Sequence, residues 1–205
     1  ITDKTIAGKS HAKIAAEAIR GGADTIQLRD KKSSNEKIYR EAKKLRALIP
    51  KEKILFIVND NVEIALALDA DGVHLGKDDL PINVARSILG EEKIIGMSCD
   101  NIKEALKAEK EGADYVSLGP IFPTDTKKNI PHPLGTKIIK EAKKKISIPI
   151  VAIGGINEEN MKEVLKAGAD GVAMISEILK CNDIRSKVAC IKNTFLKLIK
   201  LRYNT

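Results

Sequence analysis

The chain has 205 residues, 43% hydrophobic and 31% charged, with 36 Lys+Arg against 28 Asp+Glu for a formal charge of +8. This composition excludes disordered, collagen-like and membrane-spanning chains, because no apolar run approaches the roughly 20 residues needed to cross a bilayer. With no Trp and only 3% aromatics there is little for base stacking, so the basic balance points to small anionic ligands before nucleic acid.

In chain order, Ile1-Thr2-Asp3 reads as the tail of a first strand truncated at its N-terminus, and a helix is predicted over 9–20. Gly22-Ala23-Asp24 then ends that helix and feeds a strand over 25–29. A helix over 35–48, a strand over 54–59 and a short helix over 62–68 lead to Asp69-Ala70-Asp71-Gly72 and a strand over 73–75. Next come a helix over 82–89, a strand over 93–98 and a helix over 101–111. Gly112-Ala113-Asp114 introduces a strand over 115–118, and a proline-rich loop over 120–134 leads to a helix over 136–145. A strand over 148–154, a helix over 158–167, Gly168-Ala169-Asp170-Gly171, a strand over 172–175 and a helix over 183–201 complete the chain. The same helix-stop, strand-start junction recurs four times: the Gly supplies the positive φ that ends a helix and a short loop feeds the next strand.

Strand alternating with helix implies a parallel sheet, either doubly wound or closed. Eight βα units in 205 residues, with no linker-like segment, favour an α/β fold in which residues 1–205 form a single (β/α)8 TIM-barrel domain. Cys99, Cys181 and Cys190 are odd in number and lack zinc spacing, so neither a disulfide framework nor a zinc site is expected, and a reducing cytoplasm is. His11, His74 and His132 show no pattern for a nucleophilic triad or a metal, and a structural or exposed role is expected for each.

In a barrel the active site lies at the C-terminal ends of the strands. Those ends carry Gln27-Leu28-Arg29-Asp30-Lys31, Asn59-Asp60, His74 to Asp79, Ser98, Pro123 to Lys128, Gly154-Gly155 and Ile175-Ser176. Gly154-Gly155, followed by a helix opening near Asn157, suits a phosphate held by backbone N–H groups, with Ser176 at the neighbouring strand end. Arg29, Lys31 and Lys127 can bond a second, more highly charged anion. Asp60 and Asp79, at adjacent strand ends, match the preference of Mg²⁺ for a few carboxylates plus phosphate oxygens and water. As an isolated pair they also fit helix caps or salt bridges.

The chain resembles the thiamine-phosphate synthases, also called thiamine-phosphate pyrophosphorylases. The resemblance is carried by Ile1-Thr2-Asp3, Gln27 to Lys31, Val58-Asn59-Asp60, Gly72 to Gly76, Gly119-Pro120-Ile121-Phe122-Pro123-Thr124-Asp125-Thr126-Lys127, Ala152 to Ile156 and Met174-Ile175-Ser176. It implies a (β/α)8 barrel that joins 4-amino-2-methyl-5-hydroxymethylpyrimidine diphosphate to 4-methyl-5-hydroxyethylthiazole phosphate, with release of diphosphate. It further implies that Gln27, Leu28, Arg29, Asp30, Lys31, Asn59, Ser98 and Lys127 hold the pyrimidine diphosphate, with Arg29, Lys31, Lys127 and Ser98 at the chemistry. Asp60 and Asp79 would bind Mg²⁺, while Thr124, Asp125, Thr126, Gly155, Ile175 and Ser176 would hold the thiazole phosphate.

Three positions depart from the family pattern. Lys77-Asp78-Asp79 stands for the usual Gln-Glu-Asp, which adds a cation beside the expected metal site; Asp100 stands for His, and Ser117 for Gly. The related thiazole tautomerases share the barrel but place a His where this chain has Pro120, and a basic nucleic-acid-binding scaffold is the reading from another class. The expected partners are small phosphorylated substrates and not nucleic acid or membrane, with homo-oligomer formation left open.

Overall fold

The computed structural model describes residues 1–126 and 132–203. Seven parallel strands stand in sequence order, β1 (Thr25–Leu28), β2 (Leu55–Asn59), β3 (Gly72–Leu75), β4 (Ile94–Cys99), β5 (Tyr115–Leu118), β6 (Ile150–Ile153) and β7 (Gly171–Ala173). A doubly wound sheet would reverse its order at a switch point; this one never does, and the fold is an α/β TIM-type barrel. The strand expected at the start is reduced to one residue, Thr2, bridged in parallel to Leu28.

Between the strands run α2 (His11–Arg20), α3 (Asn35–Leu48), α4 (Val62–Ala67), α5 (Ile82–Leu89), α6 (Ile102–Lys110), α7 (Lys137–Ala142) and α8 (Met161–Lys166), followed by α10 (Ile184–Tyr203). Two single-turn helices, α1 (Lys4–Ala7) and α9 (Ser176–Leu179), fall where the sequence predicted none. Each longer helix buries one stripe: α2 buries His11, Ile14, Ala15 and Ala18, the i, i+3, i+4, i+7 face of an amphipathic helix. Its start is set by Ser10, whose Oγ accepts the Lys13 N–H at 3.3 Å.

The four recurring junctions have one geometry. Gly22, Gly112 and Gly168 have φ of 92°, 93° and 110°, and Asp69 takes the same place with φ 48°. In each case the following Ala donates its N–H back to the carbonyl five residues earlier, as in Ala113 to Ala108 at 3.0 Å and Ala70 to Ala65 at 2.9 Å. The Asp then reaches sideways to the preceding strand. Asp71, Asp114 and Asp170 accept the N–H groups of Phe56, Ile95 and Ile150 at 2.7, 2.7 and 2.9 Å. Each also holds a cation from the covering helices: Arg46, Arg86 and Lys143 respectively, with Lys192 on Asp24. The repeated motif is therefore a strand-to-strand stitch at the N-terminal face, which leaves the C-terminal face free for a site.

Candidate functional site

At the C-terminal rim the loop after β1 is held from inside. Thr2 donates its N–H to the Gln27 carbonyl at 2.8 Å, and Thr2 Oγ1 accepts the Arg29 N–H at 3.4 Å. Arg29 Nη1 donates to Asp3 Oδ2 at 2.7 Å. Asp30 accepts the N–H groups of Lys32 and Ser33 at 3.0 Å and the Lys4 ammonium at 2.7 Å, with His11 Nε2 at 3.4 Å. Burial pushes the Asp30 carboxyl up, but Lys4, Ser33 and Lys32 outweigh it and hold it well below the usual carboxylate range. The Leu28 side chain lies in the core at 1% exposure, and the Asp30 carboxylate, bonded to Lys4 and to the Lys32 and Ser33 N–H groups, anchors the loop.

Arg29 and Lys31 line a hollow with Asp3, Lys4, Thr5, Ile6, Asp30, Lys32 and Thr126. Lys31 Nζ pairs with Asp60 Oδ2 at 2.6 Å, and Asp60 in turn contacts Asp79, at the end of the neighbouring strand. Burial and the adjacent Asp60 raise the Asp79 carboxyl above its ordinary range, although it accepts the Gly76 N–H at 2.7 Å. Asp60 moves the other way: burial opposes the shift, and the Lys31 ammonium overcomes it. Each of the two carboxyl groups thus disfavours ionisation of the other, and a cation between them would relieve that repulsion. Among the described residues no group of three or more His, Cys, Asp and Glu could hold a metal. Two carboxylates beside phosphate-suited cations fit Mg²⁺, which keeps several waters, better than a fully caged ion.

A second cavity, about 370 Å³, is lined by Gly76, Lys77, Asp78, Ser98, Cys99, Asp100, Ser117, Thr124, Thr126, Gly154, Gly155, Ile175 and Ser176 among others. Thr124 Oγ1 donates to Thr126 Oγ1 at 3.1 Å and Thr126 Oγ1 to Ser176 Oγ at 3.4 Å, which gathers three hydroxyls on one wall. Gly154 and Gly155 have φ of 94° and 63°, and a Cβ on Gly155 would strike the Pro123 carbonyl and Phe122. The helix expected near Asn157 opens at Met161 instead, because Asn157 and Asn160 bond each other's backbone and Asn160 Nδ2 donates to the Gly155 carbonyl at 2.9 Å. Asp125 is exposed and absent from the cavity wall, and Lys127 lies outside the described residues.

Three features were not legible in advance. His74 is buried; its Nδ1 lies 2.8 Å from Tyr115 Oη and its Nε2 2.9 Å from Ser98 Oγ, so it fixes a hydroxyl of the cavity wall. Burial pushes the Tyr115 phenol up, keeping it a neutral donor. Lys77 is turned to Asp100 and Glu104 at 2.6 and 2.9 Å, which absorbs its charge and removes it as a free cation beside Asp79. Asp100, Lys77 and their strap across the mouth explain two of the three departures as a pair. Gln27 and Asn59 sit at the ends of β1 and β2, the first buried and the second half-buried, and neither lines either hollow.

The family described as thiamine monophosphate synthase matches residues 1–178. The thiamine-phosphate synthase of Clostridium novyi is 48% identical over 194 residues, 94% of this chain and 95% of that protein. That of Halalkalibacterium halodurans is 50% identical over 177 residues, 86% and 84% of the two chains. Among solved structures, thiamine phosphate pyrophosphorylase from Pyrococcus furiosus superposes with a TM-score of 0.88 at 40% identity, covering 96% of this chain and 94% of that one.

Proposed function

The chain belongs to the thiamine monophosphate synthase family of transferases, and from that premise we propose that its two hollows hold the two substrates named by the resemblance. The pyrimidine diphosphate lies with its diphosphate along Arg29 and Lys31, where Lys127 closes on it, and with its ring turned toward Ser98 in the adjoining cavity, while Gln27 and Asn59, which line neither hollow, support the strand ends behind it. The thiazole phosphate lies against Thr124, Thr126, Ser176 and the backbone of Gly155 and Ile175. The observation that supports the reading is that the cation-lined hollow and the hydroxyl-lined cavity adjoin at Thr126, with Asp60 tied to the first through Lys31 and Asp79 to the second through Gly76.

Asp60 and Asp79 would hold Mg²⁺, which when bound neutralises charge on the departing diphosphate. The C–O bond to diphosphate breaks and a C–N bond to the thiazole nitrogen forms, so no side chain need take a proton from the nucleophile. The protein's part is to position, to exclude water and to stabilise the leaving charge. Arg29 and Lys31 orient the diphosphate, and Ser98, fixed by His74, orients the pyrimidine. The free thiols Cys99, Cys181 and Cys190 suit a reducing compartment. Among the described residues no helix is long and apolar enough to cross a membrane. The whole chain acts as one domain in this reading.

The assignment of hollows is tested by steady-state kinetics. Lys31→Ala should raise KM for the pyrimidine diphosphate and Ser176→Ala that for the thiazole phosphate. Each variant acting on the other substrate, or on both equally, contradicts the placement.

A further inference from the structure

We propose that Asp3 is a positioning residue for the diphosphate substrate: it caps α1 and, from that fixed place, aims the Arg29 guanidinium into the cation-lined hollow. This rests on the reading that Arg29 binds diphosphate. Asp3 Oδ1 accepts the N–H groups of Thr5 and Ile6 at 3.0 and 3.2 Å, and Oδ2 takes Arg29 Nη1 at 2.7 Å. The Arg29 and Asp3 side chains retain only 12% and 16% of their exposure, so this is not a solvent-screened surface pair. Both still line the hollow. Among the described residues Asp3 is the one side chain bonded to the guanidinium, and no fully buried side-chain nitrogen lacks a partner. The remaining Arg29 donors are thus accessible to an anion in the hollow. A guanidinium bonded on one edge presents its other donors in a planar fork that suits phosphate oxygens.

The segment that carries Asp3 is itself tied down. Thr2 is 1% exposed, bonded to the Gln27 carbonyl and lying 2.8 Å from His11 Nδ1. Lys4 reaches Asp30 and Ser33 on the far side of the same loop. Thr2 and Lys4 hold the loop; Asp3 alone among the three reaches the arginine side chain. That gives Asp3 a job separable from folding.

The separating variant is Asp3→Ser, since serine is as good a helix cap but too short to reach Arg29. KM for the pyrimidine diphosphate should rise about tenfold, the order expected on losing a charge-assisted hydrogen bond, while KM for the thiazole phosphate stays at its wild-type value and the melting temperature falls by no more than the roughly 3–12 °C that loss of the one ion pair costs. Asp3→Glu should recover part of the loss. Asp3→Ser combined with Arg29→Gln should be no worse than Arg29→Gln alone. Unchanged KM in Asp3→Ser, additive losses in the double variant, or parallel rises in both KM values with a lowered melting temperature would overturn the proposal while leaving Arg29 as a ligand. An Arg29→Gln variant with wild-type KM would overturn the underlying reading and this proposal with it.

Discussion

The Asp60–Asp79 pair makes a prediction that separates stability from function. Two carboxylates in contact repel by about 1 kcal/mol at a dielectric constant near that of water and about 4 kcal/mol at an effective value near 20, for a separation of ~4 Å. Both side chains are half-buried and Lys31 offsets part of the charge on Asp60, so a net penalty of about 1–2 kcal/mol is reasonable. Asp79→Asn removes that repulsion and keeps an oxygen to accept the Gly76 N–H. For a chain of this length 1 kcal/mol corresponds to about 2–4 °C, so without divalent metal the variant should melt roughly 2–8 °C above wild type. Mg²⁺ at ten times its dissociation constant adds about 1.4 kcal/mol to a protein that binds it when folded, raising wild type by roughly 3–6 °C. The variant should gain little from Mg²⁺ and make little product. Differential scanning fluorimetry with and without Mg²⁺, beside a diphosphate-release assay, reads all three effects. A variant less stable than wild type in metal-free buffer, or an equal Mg²⁺ response in both, would refute the reasoning.

Other consequences are checked by similar means. Asp30→Asn should lower the melting temperature at pH 7, since hydrogen bonds to a buried charge are worth about 1.5–3 kcal/mol. Because the folded-state pKa of Asp30 is depressed, its stabilisation is present above the ordinary carboxylate range and lost as pH falls below it, so the gap to wild type should narrow toward pH 3; a constant gap would contradict the assigned ion contacts. Gly96→Ala places a methyl in the Tyr115 ring, and overpacking plus a disturbed His74 hydrogen bond should cost about 2–4 kcal/mol, or on the order of 5–15 °C. A wild-type melting curve would contradict that packing. Gly155→Ala combines positive φ with contacts to Phe122 and the Pro123 carbonyl, and should raise KM for the thiazole phosphate about tenfold with little effect on the diphosphate substrate. Equal effects on both substrates would place the loop elsewhere.

The seven strands and the longer helices were legible because their signals are local: Ile and Val runs, helical periodicity and the recurring Gly-Ala-Asp junction. The short helices Lys4–Ala7 and Ser176–Leu179 were not, since one turn carries no periodicity. The site divides in the same way. Lys31, Asp60 and Asp79 follow strand ends, where barrel topology brings them into contact, and Ser98 lies near the end of β4 on the cavity wall. Contacts that depend on side-chain direction were invisible: Arg29 with Asp3, Lys77 with Asp100, and His74 with Tyr115, which is 41 positions away. Sequence read Lys77 as a cation added to the metal site; the structure spends it on two neighbouring carboxylates.

The central claim is that one rim couples two phosphorylated substrates through a carboxylate-held cation. It is tested most directly by supplying the purified chain with the pyrimidine diphosphate, the thiazole phosphate and Mg²⁺, and measuring thiamine phosphate and diphosphate together. The account predicts equal amounts of the two products, formed only when both substrates and Mg²⁺ are present. Diphosphate release without thiamine phosphate, or no turnover with both substrates saturating, would contradict it.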